Sequence, residues 1–154
     1  MQNIHSKIAY LVFIAMSLFL VEARALVLTP GDCIAPTCAT SHDIAQPGAS
    51  DIAGLMGTST ELMEYYKAEV GGSDSGPYAS FYETDFLNTP NDPSDAVIGF
   101  IGDFIDDAIN CSECYLSIKG GDGRPGASLY VFDISDWNGL DGISLYGFLP
   151  DSGA

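Results

Sequence analysis

Four cysteines are the residues best spaced to do chemistry, and they fall in two close pairs, Cys33-x4-Cys38 and Cys111-x2-Cys114. The second spacing suits a redox-active dithiol, half of a zinc site or a short disulfide. A dithiol enzyme places the motif at a helix start, where the helix dipole stabilises the thiolate. Here Tyr115-Leu116-Ser117-Ile118 follows, a strand-like alternation. A zinc knuckle needs a second ligand pair. Cys33 and Cys38 are the available one, but Pro36 lies in their loop. The expectation is therefore two local structural bridges, Cys33–Cys38 and Cys111–Cys114, favoured over the crossed pairings.

The acidic residues offer a second chemistry. Calcium takes six to eight oxygen ligands, mostly carboxylates and backbone carbonyls. Asp103, Asp106 and Asp107 form one cluster, Asn91, Asp92 and Asp95 another, and Asp122 lies in a glycine-rich loop. None follows the EF-hand pattern or the nonapeptide calcium repeat. Solvated acidic loops are the plainer reading. Calcium is thus the one cofactor to consider, through Asp103, Asp106, Asp107 and Asp122. Trp137, the single tryptophan, is a candidate for stacking on a sugar ring, although a tryptophan beside a turn more often covers a core.

Catalytic machinery is hard to assemble from this chain. His42 is the one histidine beyond the first 25 residues, so a Ser-His-Asp triad would have to use it. The run Gly120-Gly121-Asp122-Gly123 lacks the Lys-Ser/Thr of a phosphate loop. Paired carboxylates for glycoside hydrolysis exist in abundance, but sequence places no two at a working separation. The expectation is a protein without enzymatic activity.

Composition narrows the partners. Over 154 residues, 21 acids face 5 bases, for a net charge of −16. Binding nucleic acid or an anionic membrane surface requires the reverse balance. Acidity of this kind keeps an exported protein soluble.

The N-terminus reads as an export signal. Lys7 precedes an apolar run from Ile8 to Val21, interrupted only by Ser17 and by the hydroxyl of Tyr10. The run is 14 residues long, whereas a membrane span needs about 20. Ala23-Arg24-Ala25 then supplies small residues at alternate positions. Cleavage is expected after Ala25. Arg24 is the one departure, since a base after the run also suits retention as an anchor. The cleaved chain would hold 3 bases and 20 acids, a net charge of −17. Its cysteines would meet an oxidising compartment, which supports the two bridges.

The elements that must position these residues follow. Residues 26–57 read as a disulfide-pinned, proline-rich N-terminal segment, with a short strand or turn from Asp51 to Gly57. One helix is expected after Thr58, with a Thr58/Glu61 capping box, good helix formers from Glu61 to Val70, and Gly71-Gly72 as its stop. Strands are expected at Tyr78 to Phe86, Ala96 to Ile101, Tyr115 to Lys119, Ser128 to Ile134, and from Ile143 to Phe148. Ala96 to Ile101 also fits a helix running on to Ile105, a reading weakened by Gly99 and Gly102. Short strands, glycine-rich turns and one helix give a mainly β fold: an antiparallel, jelly-roll-like β-sandwich domain over residues 58–154, with one packed α-helix.

The order of segments carries a resemblance. ELMEYYKAEVGG (61–72), YETDF (82–86) and NDPSDAVI (91–98) precede a cysteine pair, a YLSIK strand (115–119) and a YVFDIS–WNG stretch (130–139). Together these segments resemble a small exported subgroup of the PEP-CTERM sorting-domain proteins. The resemblance spans about residues 58 to 149 and contains no catalytic motif. It implies export from a Gram-negative bacterium, placement at the cell surface or in the extracellular matrix, and extracellular polysaccharide or matrix proteins as partners. It carries over no enzyme activity. The family's Pro-Glu-Pro motif, apolar helix and basic end do not follow here, where the chain stops at Asp151-Ser152-Gly153-Ala154. A truncated gene, a fragment and a tail-less secreted form are the open expectations, with a last strand missing. The expected function is that of an exported, non-enzymatic surface or matrix protein. The alternative is a calcium- or glycan-binding jelly-roll module.

Overall fold

The structure is a computed structural model that describes residues 25–44, 46–87, 94–120 and 129–148. Its elements run β1 (Leu26–Leu28), β2 (Cys38–Ser41), α1 (Ala49–Met56), β3 (Tyr82–Leu87), β4 (Asp95–Phe100), β5 (Tyr115–Lys119), β6 (Leu129–Asp133) and β7 (Ile143–Leu145). Among the described residues two sheets form, with strand orders β1-β7-β4-β3 and β2-β6-β5. All pairings are antiparallel except β1 with β7.

The two sheets face each other across one core. Leu28, Ala96, Ile143 and Leu145 come from the first sheet, Cys38 and Phe132 from the second, and Phe148 joins them. Successive strand residues point to opposite faces, and β6 uses both. Phe132 faces the opposing sheet, while the fully buried Leu129 and Val131 alternate with it on the other face. On that side α1 packs across β2 and β6. The mainly β sandwich with one packed helix is therefore the architecture of the molecule.

The helix lies elsewhere than the propensities indicate. Residues 58–70 form no helix, and the helix is at Ala49–Met56, where a short strand or turn was expected. Its start is set by Gly48, whose N–H donates to Asp51 Oδ2 at 2.9 Å, and its stop by Gly57 at φ 71°. The 58–70 segment is drawn out by tertiary partners instead. Lys67 and Ser75 exchange backbone hydrogen bonds of 3.0 and 2.9 Å, and Tyr78 N–H donates to Tyr65 O at 3.0 Å. Tyr65 and Tyr66 both pack on a second core cluster around Tyr82, Ile109 and Cys114. Intrinsic helix preference amounts to only a few tenths of a kcal/mol per residue, and such packing overrides it.

The segment 26–57 is not merely a pinned arm. It supplies β1 to one sheet and β2 to the other. The expected strands from Tyr78 onward are present with trimmed ends: Tyr78 to Phe81 form a turn, and β7 stops at Leu145. At 96–101 the strand alternative holds and the helix does not. The expected signal peptide, the turn-rich loop at 88–93, the glycine-rich hairpin loop at 121–128 and the chain end from 149 lie outside the described residues, apart from Ala25.

Candidate binding clefts around Trp137

Both expected disulfides are present. Cys33–Cys38 spans 4.9 Å between Cα atoms and Cys111–Cys114 spans 5.8 Å, so all four cysteines are paired. Cys114 is buried in the second core cluster, and its N–H donates to Ser135 Oγ at 3.0 Å. The pair opens β5 and starts no helix.

Trp137 sits on a turn that the sequence builds tightly. Asn138 Oδ1 accepts from the N–H groups of Leu140 and Asp141, both at 2.9 Å, and Asn138 Nδ2 donates to Asp141 Oδ2 at 3.0 Å. Gly139 follows at φ 76° with its backbone pressed against Ile109 O, a place no Cβ fits. The half-buried indole packs on Tyr82 at 5.9 Å between centroids, and its Nε1–H donates to Asp141 O at 2.7 Å. Trp137 thus covers the core and joins both apolar clusters.

Two clefts, each of about 430 Å³, flank the Trp137–Asn138 step. The first is walled by Leu26, Leu28 and Ile134 and carries Asp133, Asp136 and Asp141. The second lies over Ala108 and Ile109 and carries Asp106 and Asn110. The carboxylate and amide side chains can hydrogen-bond hydroxyl groups, and the indole beside them offers apolar surface to a ring face. The acidic lining repels anions.

The remaining candidates are dispersed. Asp103 is exposed in a bend, and Asp106 and Asp107 lie in a single 3-10 turn, Ile105–Asp107. Asp107 Oδ2 accepts the Phe104 N–H at 3.2 Å, closing that turn. Among the described residues, no group of three or more His, Cys, Asp or Glu side chains is arranged to hold a metal ion. Asn91, Asp92 and Asp122 lie outside the described residues. His42 is exposed in a bend after β2 and lines neither cleft.

Three polar knots escape a reading of the sequence. Tyr82 is 2% exposed, accepts the Ile109 N–H at 2.8 Å and donates to Gly139 O at 2.6 Å. Burial raises its pKa above the ordinary tyrosine value. Tyr66 donates to Asp74 Oδ2 at 2.6 Å and shares a 2.8 Å bond with Thr84 Oγ1; burial and the Asp74 carboxylate push its pKa up to about 12. Glu113 accepts from the hydroxyls of Thr60 and Tyr115, and bonds from Thr58, Thr60 and Tyr115 hold its carboxyl below the usual range. Each knot joins residues far apart in the chain. The only local signal is an aromatic residue with one polar atom that needs a partner when buried.

No protein-family model matches the chain, and neither the curated proteins nor the solved structures yield a match. Among the described residues no helix is long and apolar enough to cross a membrane.

Proposed function

We propose that the chain is an exported, non-enzymatic surface or extracellular-matrix protein. The observation that carries this reading is the pairing of all four cysteines in two local disulfides. Such bridges form and persist in oxidising compartments and are rare in the cytosol. The secretory pattern at Ile8 to Ala25 and the resemblance to PEP-CTERM proteins support the same placement, at the surface of a Gram-negative bacterium. Expression in such a host, followed by fractionation and thiol counting, tests it. The expected result is an extracellular or surface fraction with no free thiol. A cytosolic, fully reduced protein overturns the reading.

Glycan binding is the second reading, favoured by the two clefts beside Trp137. The acidic lining selects neutral glycans over anionic ones. Because Trp137 is the only tryptophan, fluorescence excited selectively at tryptophan reports on the one indole between the two clefts. Saturable quenching or a spectral shift with a neutral polysaccharide supports this reading, and an unchanged spectrum across a panel of such polymers removes it.

A further inference from the structure

The first cleft has an unusual wall. Among the described residues its lining includes Asp133, Asp136 and Asp141 but no Lys, Arg or His. It also includes Ala25 and Leu26, the two residues that flank the expected cleavage point. The Leu26 nitrogen is already anchored there, donating to Gly142 O at 2.8 Å at the start of the parallel β1–β7 pairing.

We infer that this cleft is the socket for the α-ammonium group that signal cleavage creates on Leu26. The inference rests on the export reading. Hydrolysis of the Ala25–Leu26 bond adds one water: Ala25 keeps a carboxylate, and Leu26 gains, at neutral pH, an ammonium. An amide N–H has one hydrogen to give, and Gly142 O takes it. An ammonium has three. One is held by the same carbonyl, which leaves two for the cleft that Leu26 itself lines, where Asp133, Asp136 and Asp141 carry three carboxylates and, among the described residues, no side-chain cation joins them. The mature chain has few bases elsewhere, with Lys67, Lys119 and Arg124 its only cationic side chains. Processing thus supplies the missing counter-charge. The scissile bond adjoins a strand residue whose nitrogen is hydrogen-bonded into a sheet, so the bond is cut before β1 docks on β7. Cleavage and the final closure of the four-stranded sheet are then consecutive steps.

The test compares exported proteins. Mass spectrometry of the parent is expected to find Leu26 as the first residue. A second form carries two serines inserted between Ala25 and Leu26, which keeps the cleavage motif, leaves an amide N–H for Gly142 O and moves the ammonium out of the cleft. Its Tm is expected to fall by about 2–5 °C, the size of a modest ion-pair loss in a domain of this length. The same insertion in the D136N/D141N background is expected to change Tm by less than about 1 °C, because the comparison cancels the structural roles of those side chains. An equal fall in both backgrounds, or none in either, overturns the socket while leaving export intact. A chain that is not exported overturns the export reading and the socket together, and an exported chain that begins at another residue overturns the socket alone.

Discussion

The hydroxyl of Tyr82 donates to the carbonyl of Gly139 at 2.6 Å, across 57 residues of chain. The same oxygen accepts the Ile109 N–H at 2.8 Å. One side chain on β3 thereby ties the approach to Cys111 to the turn that carries Trp137. Its ring touches Tyr66, Phe100 and Trp137 at 5.7, 5.4 and 5.9 Å. The clefts beside Trp137 therefore depend on a buried residue that lines neither of them.

Tyr82→Phe keeps the ring and removes the knot. It leaves a buried N–H and a buried C=O short of a partner, at about 1–3 kcal/mol for each unsatisfied group. A loss of about 2–4 kcal/mol is expected in urea unfolding. A loss below about 0.5 kcal/mol would mean that the hydroxyl is not holding the turn.

Two glycines separate conformation from contact. Gly57 and Gly139 both sit at positive φ, 71° and 76°, but only Gly139 has backbone within reach of an added Cβ. Gly57→Ala is expected to cost about 1–2 kcal/mol, the left-handed penalty alone. Gly139→Ala adds a clash with Ile109 O and is expected to cost at least about 3 kcal/mol and to shift the Trp137 emission maximum. Equal costs for the two would contradict the close packing of the turn on Ile109.

Alkaline titration should loosen the fold. Tyr66 has its folded pKa raised from 10.0 to about 12, and Tyr115 likewise to about 12, by burial first and then by the Glu113 carboxylate. A raised folded pKa contributes stability that is complete below the unfolded value and is lost as pH rises through the folded one. Thermal stability is therefore expected to decline between pH 10 and 12, and Tyr66→Phe to flatten that decline. Absorbance at the phenolate band gives the titration directly. Glu113 works in the opposite sense: its depressed folded pKa gives stability that is present above the unfolded value and fades as pH falls through the folded one. Its exposure to solvent keeps that effect small.

The two bridges close loops with sequence separations of only 5 and 3. The chain-entropy estimate for such loops is about 2 kcal/mol each. Replacing Cys33 and Cys38 by alanine should cost more than that, because Cys38 also fills the first core cluster. The Cys111/Cys114 double alanine variant should likewise exceed it, because Cys114 fills the second. Melts of the parent with and without reductant, beside those of the two variants, separate bridge from packing, and variants no less stable than the reduced parent would contradict the burial of Cys38 and Cys114.

The sequence by itself determined the parts whose physics is local. Cysteines three and five positions apart have short routes to each other, so both bridges are legible before any fold is known. Strands β3 to β7 show through because alternation is a property of consecutive residues, as where Tyr82, Thr84 and Phe86 turn inward while Glu83, Asp85 and Leu87 stay exposed. Trp137 could be read as a lid from its place beside Asn138-Gly139. Tertiary structure decided the rest. Residues 61–70 prefer a helix in isolation, but Tyr65, Tyr66 and Lys67 gain more by pairing with residues 75–78 and packing on Tyr82. The actual helix at Ala49–Met56 has no buried residue and is secured by its ends and by contact with β2 and β6. β1 exists only because β7, over a hundred residues later, offers it an edge. The first cleft has the same origin. Its carboxylates come from 133 to 141 and its other wall from 25 to 28, so only the closing of the sheet brings the start of β1 to its acidic wall.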